Sequence, residues 1–111
     1  MMKVSRYDKE LAGKAKVLIE KDLHRHFSVQ ELAEEIGMSK SKLKRVFFYC
    51  FALQPYAYLR EQRMREAWVL LKESDLSVKQ IAFRLGFKCL SSFSTSFTKR
   101  FGINPSKVPT P

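Results

Sequence analysis

Cysteine, histidine and long apolar runs are scarce in this chain of 111 residues, and each shortage excludes a class of protein. The two cysteines, Cys50 and Cys89, have no CxxC spacing, and no ordered set of histidines and cysteines offers a metal site. No stretch approaches the length needed to span a bilayer, and the N-terminus lacks an apolar signal segment. We therefore expect no metal, no other cofactor and no membrane contact, and a location in the cytoplasm. Cys50 lies in an apolar run and is expected to be buried.

Patterns typical of strands and of catalytic sites are missing as well. Alternating apolar and polar residues occur only over short stretches, whereas apolar residues recur at helical spacing throughout. No Ser/His/Asp set, paired carboxylates or Gly-rich phosphate loop is present. The sequence therefore predicts an all-α fold and a protein that is not an enzyme.

Acidic residues are few and unevenly placed. The chain has 21 Lys and Arg against 11 Asp and Glu, a net charge of +10. No acid lies between Glu35 and Glu61, and none follows Asp75. A polyanion is the natural partner of such stretches. The candidate phosphate contacts are the cations of these stretches: Lys40, Lys42, Arg60, Lys88, Lys99, Arg100 and Lys107.

One pattern occurs twice, in residues 28–55 and 77–105. Ser28 to Gly37 corresponds to Ser77 to Gly86 at an offset of 49, with Ser, Val, Ile or Leu, Ala and Gly at matching positions. After one extra residue the offset becomes 50; the pairs are Leu43/Phe93, Phe47/Phe97, Phe51/Phe101, Leu53/Ile103 and Pro55/Pro105. Two copies are too few for a solenoid. They indicate two similar helical units instead.

Each copy carries the signals of two short helices joined by a tight turn. Ser28 with Glu31, and Ser77 with Gln80, predict capping boxes, and Gly37 and Gly86 predict helix ends. Pro55 suits the first turn of a long helix. We expect seven helical segments: about 9–24, 28–36, 40–51, 55–73, 77–85, one from about 90 to 101, and a short turn near Ser106.

This arrangement predicts a helix-turn-helix, in which a supporting helix holds a second helix with its outer face free for the major groove. The outward positions of the second helix in the first copy are Lys40, Ser41, Lys42, Lys44 and Arg45. Arginine can bond guanine O6 and N7 together, and Lys or Ser can bond a phosphate or a base. The corresponding face of the second copy carries mostly hydroxyls, which discriminate poorly and favour positioning.

The stretch SVKQIAFRLGFKCLSSFSTSFTKRFGINPSKV, together with Leu32-Ala33, Gly37-Met38-Ser39, Leu43, Arg45, Phe47, Pro55 and Tyr58-Leu59, resembles the AraC/XylS family of bacterial transcription regulators. The resemblance covers about residues 9–108. It implies seven helices of homeodomain-like type, with a first subdomain at 1–54, a linker helix at 55–73 and a second subdomain at 74–111. It also implies sequence-specific binding to double-stranded DNA, with two recognition helices in successive major grooves.

Carried over position by position, the resemblance places the base contacts on Ser41, Lys44 and Arg45 in the first copy. In the second copy they fall on Ser91 and Thr95, with Leu90 and Ser94 as further candidates. Family members generally carry a second domain that binds an effector or dimerises, so a missing domain of the same chain and RNA polymerase are candidate partners. Alternatively, the chain resembles the minority of members that consist of the DNA-binding domain alone. Trp68 is expected to pack in the core against Met64 and Leu71, or to form an exposed contact surface.

Two other classes stay open on the sequence alone. A basic helical protein can bind RNA, although no stacking sheet, KH-type loop or double-stranded-RNA pattern is present. It can also be a helical adaptor that docks an acidic protein. Competition by random duplex DNA at moderate salt separates these classes from DNA recognition.

Overall fold

The computed structural model describes residues 3–109. The predicted domain of 1–111 extends beyond them by four terminal residues, which lie outside the described residues: Met1, Met2, Thr110 and Pro111. Residues 3–109 are helical with no strand, which confirms the all-α class. They form six α-helices and one 3-10 turn: α1 Arg6–Lys21, α2 Val29–Ile36, α3 Lys40–Phe51, α4 Pro55–Glu73, α5 Val78–Arg84, α6 Leu90–Phe101 and the turn Pro105–Lys107. The expected seven helices are thus one too many, because the last segment is a single 3-10 turn.

Serine side chains begin four of these helices. The hydroxyls of Ser5, Ser28, Ser39 and Ser77 each accept a backbone N–H three residues ahead, and so satisfy a donor that the helix leaves unpaired. The reciprocal bond of a capping box is present at Ser5 and Ser77. At Ser28 only half of the predicted box forms: the Glu31 N–H donates to Ser28 Oγ over 3.0 Å.

α1 is displaced from its predicted position. It begins at Arg6 rather than Lys9, because Ser5 and Asp8 form a capping box ahead of the apolar stripe. It ends at Lys21, before the expected His24, since Asp22 leaves the helical conformation (φ −146°) and its carboxylate accepts the His24 N–H. His24 and His26 therefore lie exposed in the connection after α1.

The chain divides into two compact units, Met1–Arg60 and Glu61–Pro111. In unit 1, α1 packs on α2 and α3, and α2 packs on α3. The core is aliphatic with an aromatic edge, in which the rings of Phe47 and Phe51 lie 4.7 Å apart and those of Phe47 and Tyr58 5.7 Å apart. The Tyr58 hydroxyl donates to the Glu20 carboxylate, which gives this buried phenol a polar partner.

In unit 2, α5 packs on α6, and the buried residues are aliphatic side chains together with two phenylalanines. Phe93 and Phe97 are fully buried, and Trp68 stacks on Phe97 at 6.1 Å with an angle of 11° between the rings. Trp68 also lies 5.0 Å from the ring of Phe101. Trp68 therefore packs within unit 2, as one of the two expectations held. The packing partners that the structure shows for it are aromatic rings; its packing against Met64 and Leu71 stays a prediction.

α4 supplies residues to both units, because the division falls between Arg60 and Glu61 inside the helix. The scheme of two subdomains at 1–54 and 74–111 with a linker helix at 55–73 stays a prediction. Between residues 3 and 109, none of the helices is both long and apolar enough to cross a bilayer.

Candidate nucleic-acid interface

The turn between α2 and α3 is fixed by one glycine and two backbone hydrogen bonds. Gly37 has a left-handed backbone (φ 79°), its N–H donates to Glu34 and the Met38 N–H donates to Ala33 over 2.9 Å. This is a Schellman-type ending, which reverses the chain within two residues. Ser39 then caps α3, so the start of α3 is fixed by the Gly37 turn before it and by the hydrogen bond from the Lys42 N–H to Ser39.

The same turn recurs after α5 at the predicted offset. Gly86 has φ 91°, its N–H donates to Phe83 over 3.1 Å, and the Phe87 N–H donates to Ala82 over 3.0 Å. Ala33 and Ala82 are both fully buried, as expected of small residues that let the two helices of a helix-turn-helix approach. The sequence repeat is therefore also a structural repeat, in which the two turns share the same backbone hydrogen bonds.

α3 turns its predicted base contacts to solvent. Ser41, Lys44 and Arg45 are exposed, while Leu43, Val46 and Phe47 on the opposite side are buried. Ser41, Lys44 and Arg45 follow a spacing of three and four residues, which places them on one face. Among residues 3–109, no carboxylate pairs with Lys40, Lys44 or Arg45. This face can therefore offer two long cationic side chains and a hydroxyl together.

Two of the candidate phosphate contacts have partners within their own unit. Lys42 Nζ lies 3.1 Å from Asp8 Oδ1. Arg100 Nε donates to the Glu61 carboxylate over 2.7 Å, and its guanidinium lies 4.8 Å from the Phe101 ring. Each of these two cations therefore shares its charge with a carboxylate of its own unit. The remaining candidates, all exposed, have no acid partner within residues 3–109: Lys40, Arg60, Lys88, Lys99 and Lys107.

The outward face of α6 is a surface of hydroxyls. Ser91 and Thr95 are exposed, Leu90 is 41% exposed, and Ser94 is half-buried. Thr95 borders two shallow depressions, one lined by Ser91, Ser92 and Ser96, the other by Ser94, Thr98, Lys99 and Asn104. The depressions leave room for a ligand group against Thr95, and their lining contains one cation.

Cys89 occupies the N-cap of α6, at the position that Ser39 holds in the first copy. It makes no capping hydrogen bond. Its exposed sulfur instead lies 3.4 Å from Ser91 Oγ and 3.0 Å from Ser92 Oγ. Hydrogen bonds from the two hydroxyls, that of Ser91 first, lower the pKa of the Cys89 thiol from 9.0 to about 7. The expectation for Cys50 needs correction, because it is half-buried and not fully enclosed.

Three exposed residues on these surfaces were not predicted: Phe48, Thr98 and Asn104. Phe48 and Thr98 stand seven residues after Ser41 and Ser91, so each continues the outward face by two helical turns. The helical period could have identified both. Asn104 caps the final 3-10 turn through a bond from the Ser106 N–H, and only the fold brings it beside Thr98.

Residues 32–109 match the family model of a helix-turn-helix domain, which is most of the chain. Relatives that match this chain include HTH-type transcriptional regulators, and the solved structures that match it include a regulator of the type with an AraC-type DNA-binding domain. The chain belongs to the AraC-type helix-turn-helix family. The resemblance to the AraC/XylS family that the sequence motifs indicated is thereby confirmed.

Among the relatives of this AraC-type domain is the HTH-type transcriptional regulator ExsA of Pseudomonas aeruginosa, 32% identical over 91 residues. Another is the regulator AlkR of Acinetobacter baylyi, 37% identical over 79 residues. The alignments cover 82% and 71% of this chain but 33% and 26% of those proteins. The chain thus spans a third or less of their length.

Solved structures give the same assignment. The C-terminal domain of AraT, a response regulator from Geobacillus stearothermophilus, matches with a TM-score of 0.84 and 25% identity, covering 96% of this chain and 86% of that one. The DNA-binding domain of AdpA, a transcription factor crystallised in complex with a target DNA, matches with a TM-score of 0.80 and 29% identity, covering 86% of each chain.

Proposed function

We propose that this AraC-type domain binds double-stranded DNA in a sequence-specific manner and serves in transcription regulation. The observation that carries the proposal is the outward face of α3, where Lys44, Arg45 and Ser41 are exposed on a helix whose start is fixed by a cap and a glycine turn. A rigidly held helix with a cationic, acid-free face suits the major groove. The likeness to the DNA-bound AdpA domain supports the same assignment.

The two recognition helices, α3 and α6, contribute unequally to base recognition. On α3, Ser41, Lys44 and Arg45 contact bases, and Arg45 can make the bidentate pair with guanine that rejects other bases. On α6, Ser91 and Thr95 contact bases through short hydroxyls, which tolerate several partners. Phosphate contacts come from the exposed cations, of which Lys42 and Arg100 also pair with Asp8 and Glu61. The half of the site bound by α3 is therefore strict and the other half loose.

The domain acts by binding and not by catalysis, in the cytoplasm. Because these curated relatives are more than twice as long as this chain, we propose that a further domain that binds an effector or dimerises belongs to the working regulator. RNA polymerase is proposed as the protein partner at the promoter.

The test is selection of binding sites from a pool of random duplexes, followed by anisotropy titration on single-base variants of the selected site. Arg45→Ala should cost about 1–3 kcal/mol and relax the preference at one or two positions of the strict half. Lys99→Ala should weaken the selected site and random duplex about equally, because a phosphate contact carries no sequence information.

Lys14→Ala is the matched control, since Lys14 is an exposed cation on α1 outside both recognition helices. It should change neither affinity nor preference by more than a small electrostatic amount. Failure to enrich any sequence, or equal loss from Arg45→Ala on all variants, would contradict sequence-specific binding. Displacement by random RNA but not by duplex DNA would favour the RNA alternative.

A further inference from the structure

The outward face of α3 contains an aromatic residue among its polar groups. At 100° per residue, Phe48 lies between Ser41 and Lys44 around the helix axis, close to the direction opposite the buried Leu43. Its side chain is 54% exposed. Phe48 therefore continues the face of the proposed base contacts and does not belong to the core.

Packing within the protein does not explain this exposed ring. The neighbouring Phe47 and Phe51 pack edge to face on each other, and Tyr49 has the Lys9 ammonium 6.0 Å from its ring centre. Within residues 3–109, Phe48 has no aromatic or cationic partner of this kind. A phenyl ring left in water forgoes the stabilisation that its burial would bring. A ligand surface that covers the ring restores this stabilisation.

The structural repeat supplies a comparison. At an offset of 50, Ser41 corresponds to Ser91, Arg45 to Thr95 and Phe48 to Thr98. Thr98 lines the depression beside Thr95, so in the second copy this position borders the proposed contact surface. The first copy places a ring where the second has a small hydroxyl side chain.

We propose that Phe48 is a specificity-determining residue that packs against the 5-methyl group of a thymine in the strict half of the site. This inference rests on the proposed function. In the major groove the thymine methyl is the apolar group that distinguishes this base, and phenylalanine is among the side chains that contact it. Phe48 lies about 10 Å along α3 from Ser41, so the thymine lies roughly two to four base pairs from the base at Ser41.

Deoxyuridine provides a sharp test, because it pairs like thymidine and lacks only the 5-methyl group. Each thymine of the selected site is replaced in turn, and the affinities of the wild type and of Phe48→Ala are measured by anisotropy. At one or two positions the wild type should bind the deoxyuridine site about fourfold more weakly, the effect of one buried methyl. Phe48→Ala should bind both sites equally at those positions and keep its preferences elsewhere.

Tyr49→Ala is the matched control, since Tyr49 is similarly exposed on the same turn of α3 but stands off this face. It should retain the deoxyuridine effect. Phe48→Ser serves as a second variant, and unchanged thermal unfolding of both variants excludes misfolding. Persistence of every deoxyuridine effect in the Phe48 variants, or no such effect in the wild type, would overturn the role of Phe48 while site selection still stands. If no site is selected, the proposed function itself fails.

Discussion

At the scale of single residues, Ala52 has a left-handed backbone conformation, which residues other than glycine rarely adopt. It follows α3 with φ 61°, and its N–H donates to Phe48 over 2.8 Å. At the matching position of the repeat, Gly102 follows α6 with φ 73° and donates to Thr98 over 2.7 Å. The left-handed conformation costs an L-residue about 1–2 kcal/mol and costs glycine nothing. The first copy therefore carries strain at a turn where the second has none.

Ala52→Gly should stabilise the protein by about 0.5–1 kcal/mol, because relief of the strain exceeds the greater freedom of glycine in the unfolded chain. Gly102→Ala should destabilise it by a similar amount. A Cβ at Gly102 meets no atom within 4 Å, so the cost there is backbone strain without a clash. Urea unfolding of both variants measures the two effects. Loss of stability in Ala52→Gly would contradict strain at this turn.

A second residue of interest at this scale is Cys89, whose pKa of about 7 makes half of its thiol a thiolate near neutral pH. It stands beside Ser91, a proposed base contact. Because thiolates and phosphates repel each other, the surface at the start of α6 becomes less favourable for DNA as the thiol ionises.

The alkylation rate of Cys89 should rise with pH and reach half its maximum near pH 7, measured with iodoacetamide in a Cys50→Ser background. Ser91→Ala and Ser92→Ala should move the midpoint to higher pH, since each removes a hydrogen bond to the sulfur. Ser96→Ala is the matched control. Saturating duplex should slow the reaction, and an unchanged rate would place Cys89 outside the interface.

At the scale of elements, Asp8 joins α1 to α3. Its carboxylate accepts the Ser5 N–H over 3.1 Å, which completes the capping box, and pairs with Lys42 on α3. The Ser5 N–H first, and then Lys42, hold the pKa of Asp8 below its ordinary value of 3.8. One side chain thus defines the start of a helix and a contact between two helices.

Because the pKa of Asp8 is depressed in the folded state, its contribution to stability is complete above pH 3.8 and is lost as the pH falls through the folded-state value. Asp8→Asn should therefore be less stable than the wild type at pH 7 and approach it in strong acid. Thermal unfolding between pH 7 and pH 2 measures this difference. Glu10→Gln, an exposed carboxyl on the same helix, is the control. A constant difference at all pH values would show that Asp8 acts without its charge.

At the scale of the whole molecule, part of the net charge of +10 that could attract DNA is offset locally by ion pairs. The acids are few, yet Asp8 and Glu61 each engage a cation in the stretches proposed to face DNA. Such exposed pairs contribute about 0–1 kcal/mol to stability, so DNA can compete for their cations. The pairs therefore adjust how much of the charge takes part in binding.

Binding should weaken steeply with salt, because each neutralised phosphate releases counterions. With about five to seven phosphate contacts, log K against log salt should have a slope of about −4 to −6. Glu61→Gln frees Arg100 and should steepen the slope by about 0.9 if Arg100 then binds a phosphate. Anisotropy titration between low and moderate salt measures both, and Glu66→Gln is the control. A slope near zero would exclude nucleic-acid binding, and an unchanged slope in Glu61→Gln would show that Glu61 does not hold Arg100 away from the phosphates.

The sequence determined the elements whose signals are local. The bounds of α3 and α4 were predicted to the residue, and the turns at Gly37 and Gly86 follow from residue type. Local signals were also overlooked: Ser5 and Asp8 mark the start of α1, and the helical period places Phe48 on the outward face. These features depend on neighbours within two helical turns, and such neighbours can be seen in the order of residues.

Only the tertiary structure decided which distant side chains meet. Arg100 pairs with Glu61 across 39 residues, Lys42 pairs with Asp8, and Trp68 stacks on Phe97. Sequence patterning identifies the buried face of each helix but not the register in which two faces pack. That register decides which surface cations meet a carboxylate and which stay open to a phosphate.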